Sequence, residues 1–399
     1  MAKFFSRSVL ALVLICSYRA PAFAGTTPGA PGFSNNADYA PAADLINRAQ
    51  KFVDIEIYEM DDPAVIGALR AALERGVRIR IVEEPRALGN PCHVFDEGVG
   101  EQEGPKKAPP HHSLGAVSCA EQQRLVRDVN AAGGRYVPFR KETLCPGGKG
   151  CFQHGKILVV DAERALITTG NFNVSNLCDR AASPAQCDRD YSLVTTDEDV
   201  VRGLEAVFEA DLAGESYDLR QALPPGAASK ITVGSLALES LVRFIGSARF
   251  SVQIENQYLK EPTLNQALVD AAQRGVKVDV TVASACSFGK PKPSEEAVLT
   301  SIFQEFDGAG IRTRMFTRNI QVGGYPGYLH AKAIVVDGQH AWIGSSNGSK
   351  ESLFKNREFG VYFDTRDDVA ALANNLTADF GDANAESWED GLNCAENNR

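Results

Sequence analysis

The line His154-Gly155-Lys156, an apolar run and Asp161 returns later as His330-Ala331-Lys332, an apolar run and Asp337. Each copy reads H-x-K-x4-D. Side chains alternate along a strand, so His154 and Lys156 share a face, as do His330 and Lys332. An unpaired cation is costly in a core, so these pairs belong at the polar mouth of a sheet. Lysine there supplies fixed positive charge, and histidine attacks or passes protons near neutral pH. A phosphodiester calls for this chemistry. Its anion repels nucleophiles, so cleavage needs a nucleophile, an acid for the leaving oxygen and cations around the phosphoryl oxygens. Two histidines, two lysines and two asparagines meeting on a pseudo-twofold axis would supply all of them, and neither a metal nor a cofactor is expected.

With Gly344-Ser345-Ser346-Asn347 after the second line, the chain resembles the phospholipase D superfamily of double-HKD phosphodiesterases. The ending Asn356-Arg357-Glu358 is most similar to its phospholipase D-like and cardiolipin-synthase-like branch. The resemblance covers most of the chain. It implies an α/β fold of two pseudo-symmetric halves, each a mixed, mostly parallel β-sheet flanked by helices, with the active site at their interface. It also implies a phosphohistidine intermediate, with His154 as nucleophile and His330 as acid and base; the near-symmetry leaves that order open. Lys156, Lys332, Asn171, Asn347 and Ser345 are the expected ligands of the phosphoryl oxygens. A slip of two residues would put Asn173 in place of Asn171. Glu358 is expected to orient the histidine of the opposite half, with Asp190 as its counterpart. Asp161 and Asp337 complete the catalytic lines; each ends a strand and is expected to bond turn backbone.

The elements that position these residues are repeated too. The stretch from Ile55-Glu56 to Arg75-Gly76-Val77 aligns without gaps to that from Ile254-Glu255 to Arg274-Gly275-Val276. Each reads as strand, loop, amphipathic helix, glycine cap and strand, and units of this kind build sheets covered by helices. The offset between halves is 199 at these glycines and 176 at the histidines. The first half thus carries 23 extra residues within 83–150, rich in Gly, Pro, Cys and His. Such a segment reads either as a functional loop or as a pinned decoration. The expected organisation is a signal peptide over 1–24, a linker over 25–36, a first half over 37–220 and a second over 230–381. A tail over 382–399 would be ordered only around Cys394.

Lys3 and Arg7, an apolar stretch from Val9 to Cys16 and Ala22-Phe23-Ala24 read as a secretory signal cleaved after Ala24. A retained anchor is the other reading. Removing 1–24 shifts the formal charge from −10 to −13. An acidic chain is poorly suited to coating nucleic acid by counterion release. Eight cysteines follow the signal, an even number that reads as disulfides in an oxidising compartment. Proximity suggests Cys145–Cys151 and Cys178–Cys187, leaving Cys92, Cys119, Cys286 and Cys394 unassigned. A zinc site with His93, His111 and His112 competes, although no ligand spacing supports it.

The leading expectation is a secreted or periplasmic enzyme acting peripherally on phospholipid, by hydrolysis or by transfer to an alcohol, and self-sufficient as a monomer. Phe316, Tyr325, Pro326 and Tyr328 would form part of an apolar entrance. The alternative is a metal-independent nuclease using the same residues, kept open by Arg312, Arg314, Arg318, Lys355 and Arg357. A binding protein that kept the fold ranks last, because both catalytic lines are intact.

Overall fold

The computed structural model describes residues 29–38, 40–88, 90, 92, 94–95, 115–287 and 289–394. The signal over 1–24, its cleavage site and His93, His111 and His112 lie outside them.

Two seven-stranded sheets repeat one plan. The first contains β1 (Gly32–Asn35), β2 (Phe52–Ile57), β3 (Arg78–Glu83), β4 (Arg135–Pro138), β5 (Lys156–Val160), β6 (Arg164–Thr168) and β7 (Tyr191–Thr195), in spatial order β1-β7-β6-β5-β2-β3-β4. The second contains β8 (Ile231–Val233), β9 (Ser251–Asn256), β10 (Lys277–Ala283), β11 (Arg312–Phe316), β14 (Lys332–Val336), β15 (His340–Gly344) and β16 (Phe359–Phe363), in order β11-β10-β9-β14-β15-β16-β8. A small hairpin, β12 (Ile320–Val322) with β13 (Tyr325–Gly327), precedes His330.

The sheets are mixed, but they are not mostly parallel as expected. Only β2-β3-β4 and β9-β10-β11 run parallel. Every other pairing is antiparallel. The cause lies in the catalytic lines themselves. A parallel neighbour needs a crossover of a dozen residues or more, whereas β5 turns straight into β6 through residues 161–163 and β14 into β15 through 337–339. Asp161 and Asp337 make those turns at φ 56° and 55°, a left-handed conformation that Asp tolerates better than most residues. The Asp161 carboxylate accepts from the N–H groups of Gln50, Lys51 and Phe52 at 2.7–2.9 Å. Asp337 accepts from Arg249, Phe250 and Ser251 at 2.7–3.0 Å. Both belong to the scaffold, about 17 Å along the strand from the lysine at ~3.3 Å per residue.

Alternation along β5 sorts its side chains into two cores. Ile157 and Val159 pack with Ala333, Val335 and Ile343 of the other sheet, so the halves meet sheet to sheet. Leu158 and Val160 face the helices of their own half, packing with Ile55 and Leu69. Ile334 and Val336 do the same with Ile254 and Leu268. The helices Pro63–Glu74 and Pro262–Gln273 fill the repeated positions. Each has Pro at its start, where the missing N–H costs nothing, and an acid, Asp62 or Glu261, accepting first-turn N–H groups.

Two boundaries differ from expectation. Residues 32–35 form an edge strand paired with β7 rather than a linker. The tail packs on the second half through the helix Trp388–Leu392 and a backbone pairing of Glu386 with Met315. The disulfides are Cys92–Cys119, Cys145–Cys151, Cys178–Cys187 and Cys286–Cys394. The extra length of the first half falls largely in 84–118, the link matching 284–292, and Cys92–Cys119 pins it to the helix Cys119–Ala131. Among the described residues no helix is long and apolar enough to cross a membrane.

Candidate active site

Each histidine is fixed by the half to which it does not belong. His154 lies just ahead of β5 rather than within it, so strand alternation does not set its direction. A parallel bridge between Gln153 and Arg357 does so instead, with the His154 N–H donating to Arg357 O at 2.8 Å and the Arg357 N–H to Phe152 O. The other half repeats the device. The His330 N–H donates to Arg189 O and the Arg189 N–H to Tyr328 O. The residues after the two bridging arginines are Glu358 and Asp190. His154 Nδ1 lies 2.8 Å from Glu358 Oε2, and His330 Nδ1 lies 2.9 Å from Asp190 Oδ1. An ionised carboxylate only accepts, so Glu358 holds the proton on Nδ1 and leaves Nε2 with a free lone pair. Gly155 is needed for this close approach, because a Cβ there would meet the Phe359 ring at 2.3 Å.

Both acids are held in matching ways. Thr169 Oγ1 and Asn176 Nδ2 donate to Asp190. Ser352 Oγ and Asn356 Nδ2 donate to Glu358. Beyond them lie two buried locks across the interface. Arg357 pairs with Asp211 at 2.7 Å, and Glu56 adjoins that acid. Arg189 pairs with Asp379 at 2.7 Å, and Glu255 adjoins it. Each arginine crosses from one half into a carboxyl pair of the other. Edge-on tyrosine rings flank the histidines, Tyr58 at 5.0 Å from His154 and Tyr328 at 5.7 Å from His330.

Both lysines of the repeated lines are fully buried. Lys156 Nζ donates to His154 O and stands 5.2 Å from the Tyr58 ring centre, while Lys332 Nζ reaches Thr169 O of the other half at 3.5 Å. Burial pulls Lys156 down to about 7 and Lys332 to about 8. Burial also lowers His154 to about 4 despite the pull of Glu358, and holds His330 well below its ordinary value with Lys332 and Lys156 adding to it. Burial raises Glu358, but His154 and Lys156 outweigh that and keep it below the usual carboxylate range. Burial disfavours charge on the lysines and histidines even beside Glu358 and Asp190, so an anion entering here would favour their charged forms together.

The two asparagines differ in how they meet the helix that follows. Asn173 caps the helix Val174–Leu177, as Ser349 caps Lys350–Phe354, and its amide is committed to Glu59 at 3.0 Å. Asn171 matches Asn347. Their backbone N–H groups donate to Asn176 Oδ1 and Ser352 Oγ respectively, and each leaves a buried Oδ1 without a partner. Ser345 does not fit the phosphate role expected of it. It is fully buried, its hydroxyl accepts from the Phe359 N–H, and its own N–H donates to Phe359 O. It supports Glu358, as Thr169 supports Asp190. Sequence reasoning missed Thr169, Asn176 and Ser352; the constant offset of 176 that carries Thr169 to Ser345 and Asn176 to Ser352 was the available signal.

The family described as "Cardiolipin synthase, PLD-like domain" matches residues 43–212 and 241–381. The chain belongs to this family. It is 25% identical over 303 residues to a cardiolipin synthase of Halalkalibacterium halodurans, covering 70% of this chain and 57% of that protein. It is 26% identical over 220 residues to the minor cardiolipin synthase ClsB of Bacillus subtilis, covering 53% and 52%. The chain thus spans little more than half the length of these relatives. The crystal structure of a phosphatidylserine synthase of Haemophilus influenzae has a similar fold, with TM-score 0.58 and 11% identity over 90% of each chain.

The remaining candidates divide clearly. Arg312 pairs with Asp279 and Arg357 with Asp211, while Arg314 and Arg318 donate to the carbonyls of Ala385 and Ser287. Of the basic residues that kept a nuclease open, four are therefore engaged within the fold. Phe316 is wholly buried in the core between the sheets, not at an entrance. Among the described residues no group of three or more His, Cys, Asp or Glu is arranged to hold a metal ion.

Proposed function

We propose that the protein is an exported phospholipid phosphodiesterase of the phospholipase D type, which passes the phosphatidyl group to water or to an alcohol. The observation that carries this reading is the pair of histidines, each backed by the acid of the opposite half and each within reach of the charges of Lys156 and Lys332. His154 Nε2 attacks phosphorus and forms a P–N bond. The P–O bond to the headgroup breaks, and His330 gives its Nε2 proton to the leaving oxygen. Water or an alcohol then loses its proton to His330 and attacks phosphorus, the P–N bond breaks, and His154 is restored. His330 needs a proton for the first step, which burial and the neighbouring lysines disfavour. The phosphodiester anion supplies the negative charge that permits it.

Lys156, Lys332, Asn171 and Asn347 hold the non-bridging oxygens. Four disulfides, using all eight cysteines after the proposed signal, support export into an oxidising compartment. The engagement of the arginines favours lipid over nucleic acid. The test is headgroup release from phosphatidylcholine and phosphatidylglycerol vesicles by residues 25–399, with glycerol as competing acceptor and EDTA present. Release or exchange lost in both His154→Ala and His330→Ala is expected. Cleavage of single-stranded DNA, with no lipid turned over, would overturn the substrate assignment.

A further inference from the structure

The two acids do not stand in equal company. Two residues before Glu358 is Asn356, whose Nδ2 donates to Glu358 Oε1 at 3.2 Å. The same position before Asp190 is Asp188. Asp188 is 2% exposed and Asp190 1%. One amide serves both carboxyls: Asn176 Nδ2 donates to Asp190 Oδ2 at 2.9 Å and to Asp188 Oδ2 at 3.4 Å. Asp188 also accepts from the Tyr328 N–H, two residues before His330. Among the described residues no salt bridge reaches it, since the intervening Arg189 turns away to Asp379.

We propose that Asp188 is a positioning residue that makes the two histidines unequal: with Asp190 it forms a buried carboxyl pair bridged by the Asn176 amide behind His330, whereas His154 is backed by a single carboxylate. The proposal rests on the two-histidine reading given above. Two buried carboxylates that share the Asn176 amide, with no lysine or arginine paired to either among the described residues, cannot both ionise cheaply, so the pair keeps a proton that an Asn–Glu arrangement does not. The groups facing the pair are Asn176 and Ser175 from the helix beside it, Thr169 and Gln186, Tyr328 and His330 from the hairpin side, and Arg318, Lys332 and Lys156 acting through space. Burial and mutual repulsion raise Asp188 to about 7, and burial raises Asp190 to about 7 against the pull of Lys332. The pair's shared proton therefore leaves near neutrality. As it does, a second negative charge appears behind His330 and strengthens its hold on the proton it must give away.

The test compares wild type, Asp188→Asn and Asn356→Asp. Asp188→Asn keeps an oxygen for the Tyr328 N–H and copies the Asn356–Glu358 arrangement. Without substrate, infrared spectra of wild type are expected to show a protonated carboxyl at neutral pH that Asp188→Asn loses. Histidine NMR titrations are expected to show His330 responding to an ionisation near pH 7 that is absent in Asp188→Asn. Asn356→Asp is expected to place a matching ionisation beside His154, so the idea stays open to refutation even if Asp188→Asn does not fold. In turnover, the pH–rate limb near 7 is expected to vanish in Asp188→Asn. An unchanged carboxyl band and unchanged His330 titration in Asp188→Asn would overturn the proposal. The spectroscopy needs no substrate, so it stands apart from any failure to find lipid turnover.

Discussion

On the His154 side of the cleft the carboxylate behind the imidazole is Glu358, held by Ser352 and Asn356 and kept ionised by the cations before it. On the His330 side it is Asp190, held by Thr169 and Asn176 and crowded by Asp188. The backbone bridges, arginine locks and flanking tyrosines are otherwise alike. Duplication thus gives two equivalent scaffolds, and a change of one donor to one acid suffices to give their histidines different proton chemistry. A nucleophile needs a free lone pair and a permanently charged partner. A proton shuttle needs a partner whose charge follows the state of the reaction.

Removing the reacting groups should break the comparison most severely. His154→Ala and His330→Ala should each lower kcat by about 10⁴-fold or more, the scale seen when one member of a coupled catalytic unit is lost. They should differ in what accumulates. On quenching with a substrate whose leaving group needs no proton, His330→Ala should retain phosphorus on the enzyme, whereas His154→Ala should retain none. Equal labelling would remove the assigned order of roles.

The acids should come next, and unequally. Glu358→Gln loses a full charge and the fixed tautomer of His154, for which a fall of about 10³-fold is expected. Asp190→Asn replaces a carboxyl that already shares a proton, and about 10²-fold is expected. Steady-state kcat for the two variants, measured side by side, checks the ranking; a larger loss for Asp190→Asn would invert it.

Much of this arrangement was legible in the sequence because duplication labels positions. The offset between halves paired Asn171 with Asn347, the strand that follows each acid paired Asp190 with Glu358, and the glycine-closed strand-helix-strand units marked the cores. Sheet direction was misread because a strand's partners depend on how tightly the following turn reverses it, and the turn at Asp161 left no room for a crossover. Ser345 was misread for a different reason. A serine beside a catalytic asparagine serves equally well as ligand or as support, and only the Phe359 N–H above it decides. Glu56, Glu255, Asp211 and Asp379 were invisible as locks, since their partners lie in the opposite half.

Those locks bear on stability rather than chemistry. Arg189→Leu leaves Asp379 and Glu255 buried without their cation, and Arg357→Leu does the same to Asp211 and Glu56. Breaking a buried pair by removing one partner costs about 3–5 kcal/mol, so each variant should unfold at a clearly lower denaturant concentration than wild type. Arg189 and Arg357 also lead directly into Asp190 and Glu358, so the loss should carry a loss of activity on the side concerned. Losses in denaturant unfolding below about 1 kcal/mol would mean that the neighbouring carboxyls take up protons and bury themselves neutral.

The smallest effect separates two asparagines two residues apart. The Asn171 side-chain amide, like that of Asn347, donates to no other described residue and so is free to donate to a phosphoryl oxygen, and Asn171 has no role in holding a helix. Asn173 has such a role and is bonded to Glu59 as well. Asn171→Ala should therefore reduce kcat/KM by about 10–10²-fold, the worth of one hydrogen bond to a charged group, with little change in melting temperature. Asn173→Ala should do the reverse, losing about 1 kcal/mol of stability as a missing helix cap does, with kcat/KM close to wild type. Measuring both quantities on both variants distinguishes a phosphate ligand from a cap. If Asn173→Ala proved the more damaging to kcat/KM, the two-residue slip would be the correct alignment, and the match between the halves would have to be redrawn from Thr169 onward.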